Sequence, residues 1–208
     1  VPYKIKNDEE VLKDPKNTID FDHDLHQKIL NNVKKIGTDA KLVLDQDQVV
    51  HVSMAEKLLV LQLSKLSNFI PDGGIWLNTQ RPEWNDANNA LVGYGVSMVT
   101  LYYLNRHISF INKVLANINE TEFKISNEVL AWFRDTKETY KKYLPAINKK
   151  LDPVKRKTFV QELQKLFSNY RQKTYNKSSS GEDKIKVIDI INFNNLVLTH
   201  FENSINNN

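Results

Sequence analysis

Ser53-Met54-Ala55-Glu56-Lys57-Leu58-Leu59-Val60-Leu61-Gln62-Leu63-Ser64-Lys65-Leu66-Ser67-Asn68-Phe69 decides the fold class. Ser53 followed three residues later by Glu56 is a capping-box pattern, in which hydroxyl and carboxylate satisfy backbone amides left free at a helix start. Leu58, Leu59, Leu61, Leu63, Leu66 and Phe69 then fall on more than one face, as in a helix buried between neighbours. A second long apolar segment carries Val96, Val99, Tyr103, Ile108, Ile111 and Leu115. Its period is helical, so the chain is expected to be all-α, a stack of α-hairpins.

Working towards the N-terminus, Lys41 to Val52 holds two short β-branched runs around a polar turn, the pattern of one small β-hairpin over residues 41–52. Leu25, Ile29, Val33 and Ile36 lie at helical spacing before Gly37, a helix-stop residue. Residues 1–24 mix charges with Pro2 and Pro15 and read as an irregular lead-in to a single helical domain spanning 25–205. Towards the C-terminus, Asn119 with Glu122, and Asp152-Pro153, mark two further helix starts, giving helices of about Glu122 to Tyr143 and Pro153 to Tyr175. Asn176 to Asp183 has the composition of a loop or hinge. A last helix, near Ile188 to Ile205, presents Ile188, Ile191, Leu196, Leu198 and Phe201. No internal sequence repeat is evident.

The two long helices bracket a segment of different chemistry: Arg81-Pro82-Glu83-Trp84-Asn85-Asp86-Ala87-Asn88-Asn89-Ala90-Leu91-Val92-Gly93. Glu83 and Asp86 can exchange protons, Trp84 offers a flat ring to a sugar or a base, and Asn85, Asn88 and Asn89 supply directional hydrogen bonds. A core helix needs none of these, and functional residues concentrate on loops held by rigid elements. Gly73-Gly74 before the segment, and Gly93 and Gly95 after it, stand where sharp turns and close backbone approach are needed. The three amides are expected to bond backbone groups and turn Glu83 and Asp86 towards one cavity. Each residue has a plainer role as well: Asp86 as a helix cap or Asx turn, Glu83 as a surface ion pair with Arg81, Trp84 and Trp76 as core.

Glu83-Trp84-Asn85-Asp86-Ala87-Asn88-Asn89, with Val92-Gly93 and Gly95-Val96-Ser97 after it, resembles the Asp-Trp-Asn-Asp-Gly-Met-Asn loop of the cellobiose and chitobiose phosphorylases. Glu83 stands where that family has Asp, and Ala87 where it has Gly. The resemblance implies an (α/α) six-hairpin toroid acting on glycosidic bonds, with Asp86 as the general acid and Trp84 beside the sugar. Arg81 has no counterpart in that loop and is assigned with Trp76 to substrate binding. Inverting hydrolysis requires a second carboxylate roughly 6.5–9.5 Å from the acid, whereas phosphorolysis takes inorganic phosphate as co-substrate. Neither partner is identifiable in the sequence. No cofactor and no metal are expected. The partners expected are an oligosaccharide or glycoside and the remainder of a longer parent chain, because a full toroid usually needs more than 208 residues. A binding or scaffold domain that keeps the loop without chemistry is the alternative.

Composition bounds these readings. With 40% hydrophobic and 26% charged residues the chain is ordinary for a soluble globular protein, cytoplasmic by slight preference. No apolar run approaches the roughly 20 residues that cross a bilayer, and no membrane partner is expected. The absence of cysteine excludes disulfides and thiolate metal sites. His23 and His26 beside Asp20, Asp22 and Asp24 have a spacing open to metal ligation, yet an acidic lead-in capping the next helix explains them more simply. Asp45-Gln46-Asp47 lacks the glycine and distal glutamate of a calcium loop. The net charge is +4, with lysines and arginines gathered in the second half. Acids are interspersed there, and Phe159, Phe167 and Tyr170 have the helical spacing of a core stripe, so no nucleic-acid partner is expected.

Overall fold

The computed structural model describes residues 2–45, 48–77, 93–147, 150–175 and 180–207. The architecture is mostly helical, with small antiparallel sheets of two strands each. In chain order the elements are β1 (Tyr3–Ile5), α1 (Asp8–Lys13), β2 (Ile19–Phe21), α2 (His23–Ile36), a 3-10 turn (Gly37–Lys41), β3 (Leu44–Asp45), β4 (Gln48–Val49), α3 (Met54–Leu66), β5 (Ile75–Trp76), β6 (Val96–Ser97), α4 (Met98–Leu115), β7 (Glu122–Ser126), α5 (Asn127–Ile147), α6 (Pro153–Tyr175), β8 (Glu182–Lys186) and α7 (Val187–Asn206). The expected hairpin at 41–52 is present as β3 and β4.

Helices α3, α5, α6 and α7 meet in one aromatic core. Tyr140, Phe69, Phe159, Phe193 and Phe201 are all fully buried. Tyr140 is packed edge-on against Phe159, Phe193 and His200 at centroid separations of 5.3, 5.9 and 4.8 Å. Its hydroxyl donates to the Leu66 carbonyl at the end of α3, 3.2 Å away, so the phenol is satisfied where water cannot reach it. A polar chain runs beside this core: Gln62 Nε2 donates to Asn194 Oδ1 at 2.7 Å, Asn194 Nδ2 to Asn112 Oδ1 at 2.8 Å, and Asn112 Nδ2 to Asn195 Oδ1 at 2.8 Å. It ties α3, α4 and α7 together.

Residues 1–24 are not an irregular lead-in. Strands β1 and β2 pair antiparallel, Tyr3 opposite Phe21 and Ile5 opposite Ile19, and α1 between them carries a complete capping box from Asn7 and Glu10. The unit is fastened to α6 by side chains that meet its backbone: the Tyr175 hydroxyl accepts from the Ile5 amide at 3.1 Å, Ser168 Oγ from the Asp8 amide at 3.2 Å, and the Arg171 guanidinium donates to the Lys6 carbonyl at 3.0 Å. Distance in sequence hid these partners. His23 and His26 flank the Phe21 ring at 4.7 and 5.3 Å, and Asp22 caps α2, which therefore begins two residues before the expected Leu25.

Three further expectations are corrected. Ser53 accepts from the Glu56 amide, but Glu56 does not reach back to close a capping box. Its carboxylate is buried and accepts from the amide and the hydroxyl of Ser126, at 2.9 and 2.6 Å. Asn119 and Glu122 do not start a helix, because Glu122–Ser126 is strand β7, paired in full register with β8 across Lys124 and Lys184. The Asn176 to Asp183 stretch likewise ends in strand, as Glu182 and Asp183 open β8; residues 176–179 lie outside the described ones. Asp152 meets expectation, accepting from the Val154 and Lys155 amides at the start of α6.

The buried stripes also differ from those expected. In α4, Leu101, Leu104 and Ile108 face the core, while Val99 and Tyr103 face solvent and Val96 belongs to β6. In α3, Leu61 is exposed and Gln62 buried; in α7, Ile188 is exposed, and Ile190, Phe193 and Val197 are inside. Phe159 is core, and Phe167 and Tyr170 stack on the buried Trp132 at 5.0 and 4.4 Å. Among the described residues, no helix is long and apolar enough to cross a membrane.

His200 gives the core a pH dependence. Burial holds its imidazole down, from the ordinary 6.5 to about 4, outweighing the hydrogen bond between Nε2 and the Tyr140 carbonyl at 2.9 Å. A carbonyl only accepts, so Nε2 carries the proton of the neutral ring. Because the folded value lies below the unfolded one, the unfolded chain binds the extra proton between them, and stability falls as pH drops from about 6.5 to about 4. The loss expected is on the order of 3 kcal/mol. His200→Gln keeps a donor and removes the titration, so urea unfolding of the two proteins at pH 7 and pH 4.5 should show a smaller acid loss in the variant. Equal losses in both would show that His200 does not govern this limb.

Candidate functional site

Segment 78–92 leaves and re-enters the described structure at one point. Strand β5 follows α3 through the turn Pro71 to Gly74, and β6 leads directly into α4. The two strands pair antiparallel, Ile75 opposite Ser97 and Trp76 opposite Val96. Pairing continues beyond them: the Leu77 amide donates to the Gly95 carbonyl at 2.9 Å, and the Gly93 amide to the Leu77 carbonyl at 2.6 Å. Leu77 and Gly93 therefore face each other across a closed neck.

Glycine is required at two points of this neck. Gly93 has φ of +82°, and a β-carbon there would also collide with the Pro15 carbonyl of the N-terminal unit. A β-carbon on Gly74 would stand 2.7 Å from the Ser97 carbonyl oxygen, closer than any packing permits. The sharp turns and close approach expected at these glycines are thus present at Gly74 and Gly93.

Several anchors fix the neck to the body. The Ile70 amide donates to the Gly74 carbonyl at 2.8 Å and the Trp76 amide to the Asn68 carbonyl at 2.8 Å. Asn68 and Ser67 are in turn held by Gln164 of α6, whose amide donates to the Ser67 carbonyl at 2.5 Å and to Asn68 Oδ1 at 2.7 Å. On the other side, Ser97 caps α4, accepting from the Thr100 amide at 3.1 Å. Asp72, with φ of +56°, is a residue that sequence reading took only for part of a turn. Its carboxylate accepts from the Leu151 amide and from Asn207 Nδ2, both at 2.9 Å, fastening the turn to the chain ahead of α6 and to the end of α7. Pro71-Asp72-Gly73-Gly74 was the available signal, but the partners lie 79 and 135 residues away.

Of the residues assigned to the site, Trp76 sits on the neck itself. It is half-buried, and its indole N–H donates to the Gly93 carbonyl at 3.1 Å, so its one donor is spent on closing the neck. Arg81, Glu83, Trp84, Asn85, Asp86, Asn88 and Asn89 lie outside the described residues. Among the described residues, no three His, Asp or Glu side chains gather in a way that would hold a metal ion. Neither the protein-family models nor the curated proteins include a match to this chain.

Gly37 and Gly93 separate two costs. Both have positive φ, +79° and +82°, yet a β-carbon on Gly37 meets nothing within 4 Å. Gly37→Ala should cost only the backbone term, about 1 kcal/mol. Gly93→Ala adds a collision with the Pro15 carbonyl, and its midpoint in thermal unfolding should fall clearly further. Equal midpoints for the two variants would show that the neck is not closed against the N-terminal unit.

Proposed function

We propose that this chain is a carbohydrate-active helical domain acting on a glycosidic bond by an inverting route, with segment 78–92 supplying the chemistry. The observation that carries the reading is the neck: a segment bearing two acids, a tryptophan and three asparagines begins and ends on paired backbone at the capped start of α4. A scaffold that fixes both ends lowers the entropy cost of arranging those side chains around a ligand. Asp86 is the general acid that protonates the glycosidic oxygen. Glu83 stands beside it in sequence as the like charge that keeps a proton on Asp86. Trp84, Arg81 and the amides of Asn85, Asn88 and Asn89 bind sugar, with Trp76 at the base.

The wider architecture supported by this reading is an (α/α) toroid. Consecutive helices α5 and α6 pack along one another, as a hairpin unit requires. The second carboxylate, or the phosphate site that would replace it, is not assigned.

A screen of oligosaccharides with and without inorganic phosphate, following product anomers by NMR, tests the reaction. Asp86→Asn should lower turnover by about 10²–10⁴-fold, the usual weight of a general acid, while leaving ligand affinity near that of the parent. Turnover undiminished in Asp86→Asn removes it from the mechanism. Sugar binding without turnover in the parent would make the chain a binding domain.

A further inference from the structure

Helix α4 is apolar on two opposite faces. Leu101, Leu104 and Ile108 are 0%, 6% and 0% exposed against the core. On the outward face, Val99, Tyr103, Phe110 and Val114 are 62%, 65%, 62% and 41% exposed. Tyr102, 50% exposed, borders them, and at 100° and 1.5 Å per residue the five fill an arc about 120° wide and run about 22 Å along the helix. Single exposed apolar side chains are ordinary. A continuous seam of them on one helix is the pattern of a packed interface.

The exposure is locked in. Asn112 is bonded on one side to Asn194 and on the other to Asn195, and Asn194 is bonded to the buried Gln62, so α4 cannot roll its outer seam inward without breaking that chain. Positions 99, 103, 106 and 110 follow the alternating four and three spacing of a helix that meets another helix. Arg106 occupies the middle of this seam, its guanidinium 5.9 Å from the Tyr103 ring centroid.

Charge selects the occupant. The formal charges of α4 are Arg106 and Lys113, and the helix contains neither Asp nor Glu. We propose that this seam docks an amphipathic helix of another polypeptide whose apolar ridge is flanked by aspartate or glutamate. A second copy of this chain would set Arg106 and Lys113 against the same charges, with no acid in either helix to offset them. An anionic bilayer would supply negative charge, but a helix lying in a membrane surface keeps its cations on the polar face, whereas Arg106 stands in the middle of this apolar seam.

The test uses the full chain and two fluorescein-labelled helical peptides with the same leucine ridge, one flanked by glutamate and one by lysine. Anisotropy should show the glutamate peptide binding at least tenfold tighter than the lysine peptide. Tyr103→Glu with Phe110→Glu should weaken it at least tenfold with the thermal midpoint kept, and Arg106→Glu should reverse the preference between peptides. Failure of either peptide to bind, or equal binding of both, overturns the proposal. So does self-association of the chain in sedimentation that the double substitution abolishes, flotation with phosphatidylserine vesicles in place of peptide binding, or a double variant whose midpoint collapses because the chain itself covers the seam.

Discussion

Tyr140 is the side chain on which the helical body turns. Its ring contacts the aromatic side chains of α6 and α7, its hydroxyl holds the last carbonyl of α3, and its own carbonyl accepts the His200 imidazole. One residue of α5 thus fixes the approach of three other helices. A buried phenol without an acceptor would cost about 1–3 kcal/mol, and burial already pushes the Tyr140 phenol well above its ordinary range. Leu66 ends α3, and its carbonyl accepts both the Phe69 amide and the Tyr140 hydroxyl, each at 3.2 Å. That same end begins the neck, since Asn68 receives the Trp76 amide two residues further on.

The strand pair β7 and β8 does for the helix starts what Tyr140 does for the middle. Its register is symmetric about Lys124 and Lys184, and each strand runs directly into a helix, β7 into α5 and β8 into α7. Ile125 and Ile185 are the buried residues of the two strands, so this small sheet is also a lid on the core. Glu56 joins α3 to it through Ser126, and Ser53 adds a bond to the Lys124 carbonyl at 3.1 Å. The buried Glu56 carboxylate is thus satisfied by the amide and the hydroxyl of one residue, Ser126.

The sequence disclosed what is local. Ser53, Asp152-Pro153 and Gly37 are read correctly because a cap or stop acts within one turn. The apolar period of 153–175 likewise returned the right helix. What failed is non-local. Glu122-Phe123-Lys124-Ile125-Ser126 continues into a strongly periodic helix, and nothing nearby reveals that its partner strand lies about 60 residues downstream. In α4 the error has another cause: apolar residues surround the helix, so periodicity alone does not choose between the Leu101, Leu104, Ile108 face and the Val99, Tyr103, Phe110 face. Of the site, Gly74 and Gly93 were legible as places of tight backbone, whereas Asp72 was not, because its anchoring role is created by the chain near Leu151 and Asn207.

The N-terminal unit links these levels. It reaches α6 through Arg171, a buried residue whose guanidinium lies 4.2 Å from the Phe167 ring centroid, and burial lowers its proton affinity. It also reaches the neck, where the Pro15 carbonyl fills the space a side chain at position 93 would need and Lys16 lies 5.0 Å from the Tyr94 ring. Gly93 is therefore bounded on one side by Trp76 and Leu77 of the neck and on the other by the N-terminal unit. The return point at Gly93 is thus set from before Phe21 by the Pro15 carbonyl, and the strand it pairs with is held from beyond Pro153 by Gln164 through Asn68.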